Sequence, residues 1–209
     1  GTAQYIDSGK YKYIPYSQLF KRTDTVNVLN YGQFEAYANR DSLSYREVYK
    51  LNDIPTLFRG TLRKPGYSEA WDLFVQMGMT DDSYEMDVSG MNYSDFFNSF
   101  IDVRNRDIKL YLKSHFRVSD DVISKVEWLG FFNQINLNLD KGTPAQILQK
   151  ILESKWLLKK EDKDMIVMQH QFVYEIEGKE HELHSSFVLL GEDQTYTGMA
   201  KTVGLPVGI

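Results

Sequence analysis

Arg59, Thr61 and Arg63 are spaced two apart, so an extended chain from Thr56 to Arg63 turns all three side chains to one face. Guanidinium groups that share a face repel unless an anion or a carboxylate lies between them, and their planar forks match carboxylates bidentately. The chemistry such a strand offers is the capture of a carboxylated ligand. The structural alternative is that these arginines meet Asp or Glu across a sheet, or point to water. Just upstream, Asn39-Arg40-Asp41-Ser42 follows a β-prone run, and side chains at strand ends commonly bind ligands while the sheet holds them still. From Ala38 to Gly66 the basic residues are Arg40, Arg46, Lys50, Arg59, Arg63 and Lys64, against Asp41, Glu47 and Asp53, in a chain whose net charge is −5. That local excess favours a small anion over nucleic acid, whose phosphates need a broad basic face.

Other residues with chemical potential carry less. His170 falls on the mostly apolar alternation of a strand, where an imidazole is either an acid or base or a hydrogen-bonded core residue. No carboxylate near it in sequence orients it, so no catalytic acid or base is assigned. His181 and His184 are three apart, which on a strand places them on opposite faces and denies one metal ion both rings. Asp81-Asp82, Asp120-Asp121 and Glu161-Asp162-Lys163-Asp164 lie near predicted element ends, where helix dipoles favour acids without any catalytic role. The chain has no cysteine, and no metal site is expected. Nor does it carry a Gly-x-Gly-x-x-Gly turn, a Walker loop or a nucleophile elbow.

The elements that must position the arginines are legible from turn and cap signals. Tyr5 to Tyr13 reads as a hairpin turning at Ser8-Gly9, and Pro15 opens a helical turn through Ser17 to Arg22. Thr25 to Tyr37 is β-prone with Gly32 inside it, and Ser42 or Ser44 is placed to cap a helix through Tyr49. After the arginine strand, Pro65-Gly66 turns the chain into an amphipathic helix from Tyr67 to Met77 that stops at Gly78. Between Met86 and Lys160 the periodicity is helical only, with stripes at Phe96, Phe97, Phe100 and Ile101, at Ile108, Leu112 and His115, and at Val122, Ile123, Val126 and Leu129. Thr143-Pro144-Ala145-Gln146 has the form of a capping box before Ile147, Leu148, Ile151 and Leu152. Strand alternation returns at Met165, turns at Glu177-Gly178-Lys179-Glu180 and runs on through His181 to Leu190. A last helix is predicted over Thr195 to Val203, stopped by Gly204 and Pro206.

The fold class is therefore mixed α/β: a mixed sheet drawing on early and late segments, helices packed on it, and an all-helical insertion. The expected division is 1–85 with 161–209 as the α/β domain and 86–160 as the insertion. With 209 residues, 42% of them hydrophobic, the chain can bury a sizeable core. Its apolar runs fall short of the ~20 residues that span a bilayer, and no signal peptide is present. The absence of cysteine fits a reducing, cytoplasmic setting. The abrupt beginning and end read as those of an excised domain.

Asn39-Arg40-Asp41-Ser42, Arg59-Gly60-Thr61-Leu62-Arg63 and Met199-Ala200-Lys201-Thr202-Val203-Gly204-Leu205-Pro206 occur in the order found in the saccharopine dehydrogenase family, and the chain resembles its glutamate-forming branch, the saccharopine reductases, over nearly its whole length. The resemblance implies a fold like the C-terminal domain of glyceraldehyde-3-phosphate dehydrogenase, which binds substrate and forms a homodimer, with the nicotinamide-binding Rossmann unit missing from this stretch. It implies saccharopine, an adduct of glutamate and aminoadipate semialdehyde with three carboxylates, as the substrate, and NAD(P) as the hydride carrier. By motif it implies saccharopine contacts from Arg40, Thr61, Leu62 and Arg63, the threonine through its hydroxyl and the leucine through its backbone. Two departures from the family pattern flank these residues. Lys64-Pro65 replaces an aromatic and a polar residue before Gly66, and Ala38 stands where proline is usual. A related reading is a polyamine-pathway reductase such as carboxynorspermidine dehydrogenase. A reading from another class is a ligand-binding or dimerisation module without catalysis.

Overall fold

The structure, a computed structural model, describes residues 1–102 and 107–208. In chain order its elements are β1 (Ala3–Asp7), β2 (Lys10–Ile14), α1 (Tyr16–Leu19), β3 (Thr23–Val28), β4 (Gly32–Ala38), α2 (Ser44–Val48), β5 (Gly60–Arg63), α3 (Tyr67–Met77), β6 (Met86–Asp87), α4 (Tyr93–Asn98), α5 (Ile108–His115), α6 (Asp120–Leu129), β7 (Lys141–Gly142), α7 (Pro144–Trp156), β8 (Met165–Ile176), β9 (Lys179–Leu190) and α8 (Gly198–Val207). They form two compact units, Gly1–Thr25 with Glu35–Lys155, and Val26–Phe34 with Trp156–Ile209.

The mixed α/β class holds, but among the described residues the strands are spread over four small antiparallel sheets, β1-β2, β3-β4-β5, β6-β7 and β8-β9. The parallel element is a single bridge between Gln4 and Asp41. Early and late strands meet through a side chain rather than a ladder, Gln169 Nε2 donating to the Asn27 carbonyl at 3.0 Å.

In the first unit, β1 and β2 turn at Ser8 and Gly9, both with positive φ, as a tight hairpin that matches strand twist requires. The free edge of β1 receives the chain on either side of α2. Gln4 N donates to the Arg40 carbonyl and Ser42 N to the Gln4 carbonyl, each at 2.9 Å, while Leu57 N donates to the Ile6 carbonyl at 2.9 Å. These bonds fix the Arg40–Ser42 segment. Strand β4 pairs with β5 in the register Glu35↔Arg63, Ala36↔Leu62, Tyr37↔Thr61 and Ala38↔Gly60.

Helix α3 spans the predicted residues and ends at Gly78 in the left-handed conformation. Its cap residue is Gly66, φ 84°, which brings no side chain to the orphan N–H groups of the first turn. That positive φ is what favours glycine there, since the nearest atom to an added Cβ, Lys125 Nζ at 2.6 Å, is the end of a flexible side chain that can move aside. The main core gathers Leu73, Phe74 and Met77 of α3 with Phe96, Phe97, Leu112, Val126, Ile147 and Ile151 from α4 to α7. The capping box of α7 forms as its spacing predicts, Gln146 N donating to Thr143 Oγ1 at 3.3 Å and Thr143 N to Gln146 Oε1 at 3.0 Å.

Several expectations are corrected. Helix α2 is capped by Asp41 rather than by serine, its Oδ1 accepting from Leu43 N at 2.9 Å and Ser44 N at 3.1 Å. The region 86–160 is not helical only, since β6 and β7 pair as a two-residue ribbon. His115 lies on α5 with Ile108 and Leu112 as expected, where it is exposed and stacks on Tyr111. The arginine strand is shorter than predicted and begins at Gly60, leaving Arg59 outside it.

In the second unit, β8 and β9 form a long ribbon turning at Glu177 and Gly178, both with positive φ. Helix α8 starts later than predicted and runs through Gly204 and Pro206. A proline in the last turn removes one backbone donor, and the turn still closes because Gly208 N donates to the Gly204 carbonyl at 3.2 Å. Asp164, just before β8, anchors the helix start, accepting from Gly198 N at 2.6 Å and Met199 N at 2.9 Å. Those two bonds hold its carboxyl below the ordinary aspartate range.

Candidate functional site

Cross-strand pairs share a face, so the register sets Thr61 and Arg63 beside Tyr37 and Glu35 and sends Leu62 to the other face with Ala36. Arg63 would ordinarily pair with Glu35 opposite it. Glu35 is already engaged: Oε1 accepts from Gly66 N at 2.6 Å and Oε2 from Ser68 N at 3.0 Å, supplying the cap that Gly66 cannot. Burial pushes the Glu35 carboxyl up, but the two N–H groups outweigh it and the net shift is downward. Among the described residues Arg63 makes no ion pair. Its Nη1 donates to the Leu62 carbonyl at 3.1 Å and its guanidinium lies 5.3 Å from the centre of the Tyr67 ring.

Arg59 is differently placed. Its guanidinium lies 3.7 Å from the Tyr45 ring centre and donates to the Asp41 carbonyl at 3.1 Å, while its own N–H donates to the buried Ser42 Oγ at 3.0 Å. It is the joint between α2 and β5 rather than a member of an open arginine face. Arg40 is exposed, its backbone fixed by Gln4 and by the Asn39 side chain, which accepts from Arg40 N at 2.8 Å. It lies two residues beyond the last rung, so Arg40 and Arg63 are about five residues apart along the strand direction, roughly 17 Å. Of the residues singled out by motif, Thr61, Leu62 and Arg63 thus lie on β5 and Arg40 just beyond the end of β4, so that the backbones of the two arginines stand apart along the strand pair.

Two clefts of the first unit lie elsewhere. One of about 330 Å³ is lined by Glu85, Met86, Asp87, Ser89, Asp140 and Lys141, and another of about 250 Å³ by residues that include Tyr5, Lys21, Arg22, Ala38 and Phe58. Neither is lined by Arg40, Thr61, Leu62 or Arg63. The second nevertheless touches the site at Ala38, the residue at the end of the β4 ladder.

Sequence reading missed the aromatic surround. The Tyr67 ring lies nearly parallel to Tyr37, 6.5 Å and 10° away, and to Trp71, 5.8 Å and 8° away, while Trp71 Nε1 donates to Tyr16 Oη at 3.3 Å. Burial raises the Tyr67 phenol, the neighbouring phenol of Tyr37 adds to it, and Arg63 opposes them. The spacing of Tyr67 and Trp71, four apart at a helix start, was the available signal, but it read as ordinary amphipathicity. His170 is exposed and stacks on Phe172, and His184 Nε2 lies 2.6 Å from Glu182 Oε1. Among the described residues no group of three or more His, Asp or Glu is arranged to hold a metal ion, and no helix is long and apolar enough to cross a membrane.

Over residues 1–209 the chain matches the model of the saccharopine dehydrogenase C-terminal domain. It is 28% identical over 221 residues to the NADP(+), L-glutamate-forming saccharopine dehydrogenase of Schizosaccharomyces pombe and 28% identical over 218 residues to that of Saccharomyces cerevisiae, covering 100% of this chain and 49% of each relative. The mitochondrial alpha-aminoadipic semialdehyde synthase of Mus musculus is 28% identical over 184 residues, 84% of this chain and 20% of that protein. The solved apo saccharopine dehydrogenase (L-Glu forming) of Saccharomyces cerevisiae superposes with a TM-score of 0.85 at 26% identity, over 100% of this chain and 49% of that one. The chain thus spans about half the length of its two fungal relatives. A family match over residues 1–209, joined by a common backbone, makes this chain a member of the saccharopine dehydrogenase C-terminal domain family.

Proposed function

We propose that this chain is the substrate-binding part of an L-glutamate-forming saccharopine dehydrogenase of lysine metabolism, an oxidoreductase acting on a CH–NH bond when the protein is whole. The observation that carries the reading is Arg63. It sits beside Thr61 on a strand pair, opposite an acid already spent on capping α3. A substrate with three carboxylates would replace the missing counter-charge, and each charged hydrogen bond contributes roughly 1.5–3 kcal/mol. Arg40 would take a carboxylate farther along the molecule, Thr61 would donate its hydroxyl, and Leu62 would offer its backbone. Saccharopine, with carboxylates at both ends, suits two separated arginines better than a compact monocarboxylate does.

NAD(P), held by the rest of the protein, would supply the hydride chemistry at the carbon bearing the secondary amine. The described residues do not fit the cofactor: they hold no glycine-rich turn from strand to helix, and each ladder is antiparallel. We place its binding outside this chain, and this chain alone would bind substrate without turning it over. A cytoplasmic setting accompanies the reading. Saccharopine-dependent reduction of NAD(P) by the full-length protein tests it, and absence of turnover there would remove the assignment. Calorimetry with saccharopine, glutamate and a polyamine separates it from the polyamine-reductase alternative, which requires tightest binding of the polyamine.

A homodimer accompanies this reading, and the β8–β9 ribbon supports it. Met168, Phe172 and Tyr174 lie opposite Phe187, Leu183 and His181 on one face. Phe172 and Leu183 are each 50% exposed there. A two-stranded ribbon in water is marginal and its apolar face calls for a partner. We assign that partner as a second copy of the chain, with the remainder of the same protein as the competing occupant.

A further inference from the structure

The ligand-binding role of Arg63 rests on the function proposed above, but what holds the arginine in place is a separate matter. An exposed arginine on a strand samples many rotamers, and ordering it against a carboxylate costs affinity. Here the four residues that follow Arg63 bring an aromatic face back beneath it. Pro65 and the left-handed Gly66 reverse the chain, so that Tyr67, the first residue of α3, lies with its ring centre 5.3 Å from the Arg63 guanidinium. Tyr67 is itself held, its ring almost parallel to those of Tyr37 and Trp71 beside it. Tyr37 is the cross-strand partner of Thr61, so the stack ties α3 to the residue neighbouring the arginine on the same face.

We propose that Tyr67 is the positioning residue of the anion site, its clamped ring holding the Arg63 guanidinium on the Thr61 face so that a ligand carboxylate meets an arginine already ordered. The Gly66 turn favours glycine because its φ of 84° is one that L side chains rarely adopt, and the cap from Glu35 locks the same turn while engaging that carboxylate away from Arg63. The phenol of Tyr67 is raised by burial and stays neutral across the working range, so the π face persists.

The test uses the full-length protein and compares wild type with Tyr67→Phe, Tyr67→Leu, Arg63→Ala and the Tyr67→Leu/Arg63→Ala double variant. Loss of the ring should raise the KM for saccharopine about two- to fivefold, the range of a cation–π contact at an exposed site, with kcat and the KM for the cofactor moving less. Tyr67→Phe keeps the ring and should restore the wild-type KM, and the double variant should be no worse than Arg63→Ala alone. An unchanged KM in Tyr67→Leu while Arg63→Ala raises it would overturn the positioning role and leave the substrate site standing. No effect of Arg63→Ala would overturn the site and the positioning role together. If Tyr67→Leu does not fold, Tyr67→Met, which fills space without a π face, is judged by the same criteria. A defect in Tyr67→Phe equal to that of Tyr67→Leu would mean that the hydroxyl acts and not the ring, and would also overturn the proposal.

Discussion

Arg59 and Arg63 differ in what their guanidinium groups already hold, and this separates their mutants. Arg59 stacks on Tyr45 and bonds the Asp41 carbonyl. Arg59→Ala should therefore lower unfolding stability by about 1–2 kcal/mol in urea titration, from one cation–π contact and one charged hydrogen bond. Arg63 is exposed and bonds the Leu62 carbonyl next to it in the chain. Arg63→Ala should leave stability within about 0.5 kcal/mol, while weakening saccharopine binding by roughly ten- to a hundredfold in calorimetry of the full-length protein. The spacing of the two residues implied equivalent roles, because period two along a strand assigns faces but carries no record of partners. Asp41 and Ser42, which turn Arg59 inward, come to it across seventeen residues of sequence or more. The motif residues Arg40, Thr61, Leu62 and Arg63 could be named from the sequence, whereas the nearness of the Tyr67 ring to Arg63 could not.

Two helix starts of this chain take carboxylates from distant residues, α3 from Glu35 and α8 from Asp164 in addition to its own Thr197. Helix α3 begins at a glycine and is capped by Glu35 of β4, thirty-one residues earlier. The Glu35 carboxyl is held below glutamate's ordinary value near 4.5. A depressed carboxylate stabilises the fold above its unfolded pKa, and that contribution is lost as pH falls through the folded value. Glu35→Gln should thus cost about 1 kcal/mol near neutrality, kept small by partial exposure, with the difference from wild type vanishing at low pH. Urea titrations between neutral and acid pH read this directly, and a difference that grows on acidification would contradict it. Asp164 at the start of α8 has the same sign, and its contribution should be lost as pH falls below the ordinary aspartate range. Local caps behave as their sequence spacing requires. Thr143→Ala removes the capping box of α7 and should cost about 1 kcal/mol by the same measurement, with Asp82, which accepts from Thr143 Oγ1 at 2.6 Å, also losing a partner.

On the scale of the molecule, two compact units are built from interleaved stretches of one chain, since residues 26–34 belong with 156–209. In the second unit one face of the β8–β9 ribbon carries Phe172 and Leu183, each 50% exposed. Replacing the facing pair Phe172 and Leu183 by aspartate should shift the full-length protein from dimer to monomer in sedimentation equilibrium, with the register of the ribbon intact. A protein that is monomeric before the substitution, or dimeric after it, would assign the face to another occupant.

Local signals in the sequence determined the elements: α3 from Tyr67 to its glycine stop, the capping box at Thr143, the tight turns at Ser8-Gly9 and Glu177-Gly178, and the alternation of β8 and β9. Each depends on residues within a few positions of one another, where backbone geometry and side-chain spacing suffice. Only the tertiary structure decided which acid caps which helix, that Arg59 faces inward while Arg63 remains unpaired with acid, and that Tyr67 lies beneath Arg63. Those outcomes rest on contacts between residues distant in sequence, set by strand register and core packing, and no periodicity along the chain encodes them.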